Sequence, residues 1–421
     1  MAPRGKLRVL GEPSYRRLWI GRTTSLVGDG MSPVALAFAI LDLTGSATDL
    51  GIVLAIHSLV LVALLLVGGV IADRISPRVA MLGADLTRTV SMGLIATLLL
   101  TGAAQIWELA LLYAVDGAAG AFFNPASNSI VPQIVPARRL QEANGLLSFS
   151  RWMGKVVGPA LAGVLLALGT PGSALAVDAA TFAVSAACLW GLRAPGLRAA
   201  GESSDFLAEL RHGWREFSSR SWLVAVVISA ATTNAIFFPA FQVLGPTVAR
   251  ESLGGSSSWA LIATLWGLGG LLGGMIAISI RPRRPLLVSE GFILLFPLPI
   301  VLLAFPSPTA VVAAGAFVAG SSVSLAEVLY ETTLAQNVPQ EALSRVTAYD
   351  WLGSLALEPI GLALVGPLAA GIGIPTTLWL GAAMMTLCLL AVISVPSVRR
   401  LEAVPLDPTP IPPPRPVEAG D

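Results

Sequence analysis

The chain has 421 residues, 55% of them hydrophobic and only 12% charged, with a net charge of +1, two cysteines and two histidines. Soluble proteins are about a quarter charged, so the surplus apolar surface must face lipid, and a soluble fold is excluded. The near-zero charge lacks the basic stripe a nucleic-acid partner needs, and Cys188 and Cys388, each inside an apolar run, read as small core residues with no disulfide or metal framework.

Residues 1–16 are basic but have neither the apolar core nor the cleavage site of a signal peptide, and are expected as a cytoplasmic N-terminus. Beyond them, charges, Gly-Pro and Thr-Gly-Ser breaks divide the chain into twelve apolar runs, about 17–42, 49–72, 80–101, 106–126, 143–168, 173–193, 221–246, 258–280, 285–305, 309–332, 346–370 and 376–396. About twenty apolar residues cross a bilayer, and a spanning backbone must satisfy its own hydrogen bonds, so each run is expected as a transmembrane helix. With the N-terminus inside, inner segments hold nearly all Lys and Arg, from Arg4 to Arg415, and the outer loops hold only Arg250. That asymmetry places both termini in the cytoplasm of a multi-pass plasma-membrane protein.

In the first run, Asp29 lies twelve residues in, about 18 Å along the helix, between Gly28 and Gly30. An ionisable group in the bilayer is costly and so a functional candidate; Asp29 is expected as proton carrier or substrate contact, against the alternative of a structural hydrogen bond. Between the second and third runs, Gly69–Met81 reads GVIADRISPRVAM, with Asp73, Arg74 and Arg78 in a tight turn. Asp85 and Arg88 in the third run are three apart and share a helix face toward the cytoplasmic end, where an inner gate is expected. Asp116 and Asp178 lie deeper, in the fourth and sixth runs, and His57 in the second could relay protons.

The fifth run contains GKVVGPALAG, Gly154–Gly163. Glycines four apart let helices approach closely, and Pro159 bends the helix. Arg151 and Lys155 lie on one face of this run, placed to bind an acidic group, answer Asp116 or snorkel to headgroups. Residues 194–220 form the longest internal loop, in which Phe206, Leu210 and Trp214 recur at helical spacing; an amphipathic helix at the inner membrane face is expected. In the second half, Glu290, Glu327, Glu331, Asp350 and Glu358 add carboxylates, Glu358 nearest mid-membrane. Phe122, Phe123, Phe237, Phe238, Phe241 and Trp266 could line a hydrophobic cavity, though interhelical or lipid packing is the commoner fate of such rings. The segment 397–421, with PTPIPPPRP, is expected to be disordered or polyproline-like.

The halves look related. At an offset of 203 residues Trp19 faces Trp222, Val135-Pro136 faces Val338-Pro339, Gly158 faces Gly361 and Gly163 faces Gly366. Duplication of a six-helix unit points to a transporter with its substrate site between the halves.

The 69–81 stretch resembles the loop between helices 2 and 3 of the major facilitator superfamily. Gly69, Ile71, Ala72, Asp73, Arg74 and Arg78 fit its pattern, while Ser76 and Pro77 depart from it. Gly154, Gly158, Pro159 and Gly163 are similar to the antiporter motif of the same family, with Ala162 replacing a glycine. The stretches SLVGDGMSPVALAFAILDLTGSATDLG, ADLTR and NPASNSIVPQIVPARRLQEANGLL resemble the branch containing siderophore and macrolide exporters. The resemblance implies an all-α membrane protein with 12 transmembrane helices in two pseudo-symmetric six-helix bundles, the major facilitator fold, in which residues 17–193 and 221–396 are the bundles. It also implies that the Gly69–Arg78 loop, with Asp85 and Arg88 as partners, latches the bundles during alternating access. Where many proton-coupled members carry an Arg in helix 4, this chain carries Asp116, which puts any borrowed coupling scheme in doubt. The expected function is proton-coupled efflux of a hydrophobic small molecule by a monomer, with membrane lipid and protons as its other partners. Import of a nutrient on the same fold is the alternative. No elbow, phosphate loop or His-rich cluster suggests an enzyme, a cofactor or a metal.

Overall fold

The computed structural model describes residues 8–192, 206–305 and 307–403, without the side chains at 66–74, 206–210, 212, 340, 341 and 344. Among the expectations above, the side chains of Gly69, Asp73, Arg74, Phe206 and Leu210, the linker residues 194–205 and the tail from 404 lie outside the described residues.

Among the described residues, twelve helices are long and apolar enough to cross a membrane. They are α1 (Pro13–Thr44), α2 (Ala47–Arg74), α3 (Pro77–Thr101), α4 (Ile106–Ile134), α5 (Leu140–Leu168) and α6 (Pro171–Trp190), then α7 (Ser221–Leu253), α8 (Ser256–Ala277), α9 (Pro285–Leu303), α10 (Thr309–Asn337), α11 (Arg345–Ile372) and α12 (Ile374–Ser394). Local chemistry sets their limits. Pro13, Pro77 and Pro171 each open a helix, where the missing N–H is not needed. This accounts for Ser76-Pro77 in the turn before α3: the pair starts the helix. Gly45 at φ 69° and Gly102 at φ 70° close α1 and α3 in the left-handed conformation that glycine adopts without strain. α9 is broken between Pro285–Ile293 and Leu298–Leu303, with Pro297 in the break and Pro299 just past it. A second break, at Ala356 and Leu357 of α11, precedes Pro359, which has no N–H to give to the Leu355 carbonyl.

The helices pack by one scheme used twice. In the first half α1 contacts α5 and α6, α2 contacts α4, and α3 contacts α4 and α6. In the second, α7 contacts α11 and α12, α8 contacts α10, and α9 contacts α10 and α12. The two bundles meet through α2 against α11 and α5 against α8, which are themselves symmetry-related pairs. The repeat extends to single residues. Val135 after α4 and Val338 after α10 both turn extended, at φ −122° and −112°, before Pro136 and Pro339.

Lipid-facing positions carry large apolar side chains, such as Leu59, Val90, Leu111, Ile228, Met384 and Leu387, at a density a soluble surface does not tolerate. Trp107 and Trp190 stand exposed at opposite ends of their helices, the level of the aromatic belts.

One expectation about the periphery is corrected. The segment after Ser394 is not wholly irregular: Pro396–Arg400 is a short helix, and the Ala403 N–H donates to the Arg283 carbonyl at 2.9 Å. A proline at the first helical position and a buried Val398 explain that order. The linker helix, Phe206–Ser218, packs on the start of α11, with the rings of Trp214 and Phe217 at 5.5 and 6.1 Å from Tyr349.

Candidate functional site

Inside the first bundle, α1, α3 and α4 each bring one charge to the same point. The Arg88 guanidinium of α3 lies 2.9 Å from Asp29 of α1 and 2.9 Å from Asp116 of α4. Its second nitrogen donates to the other Asp116 oxygen at 3.3 Å, and its face covers the Phe182 ring of α6 at 4.2 Å. His57 of α2 is 3.3 Å from Asp116 and stacks on Tyr113 at 4.1 Å between centroids. Asp116 is only 2% exposed, yet every oxygen faces a donor. A planar guanidinium facing two carboxylates and an aromatic ring is the arrangement that makes a charge tolerable at this depth.

These groups line a cavity of about 280 Å³ between the bundles. The first bundle supplies Asp29, His57, Arg88, Asp116 and Asp178, and the second supplies Gln242, Leu355, Glu358 and Leu362. Asp178 is fully buried, and neither of its oxygens has a hydrogen-bond partner among the described residues.

The expected antiporter-like motif lies behind the site. Gly154 and Gly158 of α5 press on the backbone of α1 at Leu26 and Gly30, next to Asp29. A Cβ at Gly158 would stand 2.5 Å from the Gly30 carbonyl carbon. Gly163 faces Ala260 of α8, at the interface between bundles.

The structure separates residues that sequence reasoning grouped. Arg88 does not pair with Asp85 but turns into the cavity. Spacing of three gives a shared face, but a long guanidinium reaches whichever carboxylates need it, here Asp29 and Asp116. Asp85 is fully buried, with neither oxygen hydrogen-bonded among the described residues. Arg78 donates to the carbonyls of Leu189, at 3.0 Å, and Trp190, so it caps the C-terminal end of α6. Arg17 joins it at Gly191. Arg151 and Lys155 do not answer Asp116, which Arg88 already holds; Arg151 takes Ser148 at 2.6 Å and the Lys155 ammonium lies 4.5 Å over Trp152. Phe237, Phe238, Phe241 and Trp266 stack with Phe296 as the core of the second bundle and do not line the cavity. The ring contacts that do matter there, Phe182 and Tyr113, were missed, as was Arg22, whose guanidinium lies 4.5 Å over the buried Phe123. An arginine five residues inside the first apolar run was the available signal for Arg22.

The ends of the bundles differ. At the end remote from the termini, Gly51 meets the Leu362 carbonyl and Gly366 meets the backbone of Ala47 and Thr48. There Arg250 of α7 reaches Asp42 of α1 at 3.5 Å. Toward the end where the termini lie, Lys155, Glu327 and Glu331 stand exposed between the bundles.

Comparison with known proteins agrees with this architecture. The sequence model of the Major Facilitator Superfamily matches residues 18–356. The chain is 26% identical over 394 residues to the multidrug efflux pump Tap of Mycolicibacterium fortuitum, covering 90% of this chain and 95% of that protein. It is 22% identical to macrolide efflux protein A of Streptococcus pyogenes, over 92% of this chain and 97% of that one. Among solved structures it resembles the nucleoside transporter NupG at a TM-score of 0.70 and 14% identity, covering 92% and 99% of the two chains. It also resembles a bacterial homologue of the human lysosomal transporter Spinster, at 0.67 and 16%, covering 93% and 95%.

Proposed function

We propose that this chain, which belongs to the major facilitator superfamily, exports a hydrophobic small molecule in exchange for protons, with Asp29, Arg88 and Asp116 as its coupling centre. The observation that carries the reading is the Arg88 guanidinium held between two carboxylates at 2.9 Å on the wall of the inter-bundle cavity. Full-length similarity to a multidrug and a macrolide efflux protein supports the outward direction.

The cycle follows from the charges. With the cavity open toward the termini, Asp29 is ionised and held by Arg88, the proton having left to the cytoplasm. Cargo enters in this state. When the far end opens, a proton from outside neutralises Asp29, the ion pair loses one of its two carboxylates, and α1 is released from α3. Cargo then leaves. Neither ligand could bias the bundles unless it bound one state better than the other, and a proton on Asp29 does so by removing an attraction present only in the ionised form. The Gly154–Gly158 contact keeps Asp29 in register, and Asp178 is a second proton site, since a fully buried carboxyl without a partner is neutral or compensated. The Gly69–Arg78 turn and Asp85 act at the inner gate. The same reading puts both termini in the cytoplasm and divides the chain into bundles 17–193 and 221–396, with a linker at 194–220. It acts as a monomer, because one chain completes the cavity.

The test is proton movement in inverted vesicles containing the protein. Adding a transported hydrophobic compound should dissipate the pH gradient with the wild type and not with Asp29→Asn. Full activity in Asp29→Asn removes Asp29 as carrier. If no compound acts, while labelled nutrient uptake into cells rises, transport runs inward and the export reading falls.

A further inference from the structure

The cavity wall is unbalanced in charge. Its carboxyl groups are Asp29, Asp116, Asp178 and Glu358, and its basic groups are Arg88 and His57. Both basic groups are already engaged, Arg88 by Asp29 and Asp116 and His57 by Asp116. Asp178 and Glu358 are therefore left over. Asp178 is 0% exposed, and its two oxygens and the nearby Ser32 hydroxyl, also on the cavity wall, have no hydrogen-bond partner among the described residues. Glu358 has no hydrogen bond or ion pair among the described residues either.

The two leftover groups differ in access. An unpaired charge at mid-membrane is costly, so each needs a proton or a cation. Nothing larger than a proton reaches a fully buried Asp178. Glu358 is half-buried on the opposite bundle, at the break in α11, flanked by Leu355 and Leu362, in the cavity that Met92 and Phe182 of the first bundle also line. We infer that Glu358 receives the positive charge of the cargo, and that the cargo is a lipophilic organic cation whose apolar body lies on those flanking side chains. This assignment rests on the reading of the cavity as the transport site. It gives the two bundles different tasks: the first holds the proton chemistry, and the second recognises the charge of the cargo. A neutral molecule of the same shape would desolvate Glu358 without compensating it, and so binds more weakly.

The experiment uses the purified full chain in nanodiscs and two probes of nearly equal shape, methyltriphenylphosphonium and uncharged triphenylphosphine oxide, with binding read by equilibrium dialysis. The wild type should bind the cation at least tenfold tighter than the oxide. Glu358→Gln should lose most of that preference by weakening the cation alone, and Glu358→Asp should keep part of it. Melting curves of each variant check folding. Equal affinity for the two probes in the wild type, or an unchanged preference in a folded Glu358→Gln, overturns the assignment. The export reading is judged separately, by the vesicle assay: compound-driven proton movement without charge preference sinks the cation site alone, while charge-selective binding without proton-driven transport sinks export and leaves the site standing.

Discussion

Arg88 decides the chemistry of the centre. An arginine at mid-membrane is costly by itself, and here two carboxylates and the Phe182 ring compensate it. Removing one member of a buried charge pair costs about 3–5 kcal/mol, because the other is left uncompensated. Arg88→Ala leaves Asp116, 2% exposed, facing only His57. This variant should melt well below the wild type and transport nothing. Arg88→Lys keeps the charge but lacks the planar fork that faces two carboxylates at once; it should regain most of the melting temperature and little of the transport. A melting temperature for Arg88→Ala equal to that of the wild type would mean the ion pairs hold nothing together. Asp29 and Asp116 were legible in the sequence, since an acid inside an apolar run stands out. Their partner was not. Arg88 shares its helix face with Asp85, and only the packing of α3 against α4 reveals that its guanidinium goes elsewhere.

At the scale of elements, the α1–α5 contact links the glycine motif to the site. A side chain at Gly158 meets backbone at Gly30, which cannot rotate away, so the helices themselves must part. Gly158→Ala should destabilise by about 1–3 kcal/mol, the usual range for overpacking, and should cost transport more than stability because Asp29 adjoins the displaced Gly30. Gly145 of the same helix supplies the control: a Cβ there meets nothing within 4 Å, and its replacement by alanine should be neutral or stabilising by up to about 1 kcal/mol. Thermal melting and the vesicle assay on both variants check this; equal losses would dissolve the link. The elements themselves were largely readable. Helices this apolar, with proline starts and glycine ends, leave few alternatives, and the errors lie where side chains rather than backbone decide. The Phe237–Trp266 rings are as apolar as a cavity lining and as apolar as a core, and only the position of Phe296 on α9, 3.8 Å from Phe237, commits them to the core.

For the whole molecule, the repeated packing scheme explains why two interfaces, α2 with α11 and α5 with α8, can act as one rocking surface. The offset of 203 residues announced the repeat through paired Gly and Pro, which backbone geometry constrains, but it could not say which end is closed. Arg250 marks that end. The sequence showed it only as the one basic residue of the outer loops; in the structure it joins α7 to Asp42 of α1 across the bundles. Arg250 and Asp42 are 39% and 57% exposed, and exposed pairs contribute about 0.2–1 kcal/mol. That size suits a contact that must break in every cycle. Arg250→Ala should shift the balance toward the far-end-open state by at most about fivefold, since 1.4 kcal/mol is tenfold. Asp42→Ala should do the same, and the double variant no more than either. Spin labels at Ala103 and Gly371, one on each bundle, would read the populations as distances. Additive shifts in the double variant would show that the two side chains act apart, and that the backbone packing of Gly51 and Gly366 alone holds the far end shut.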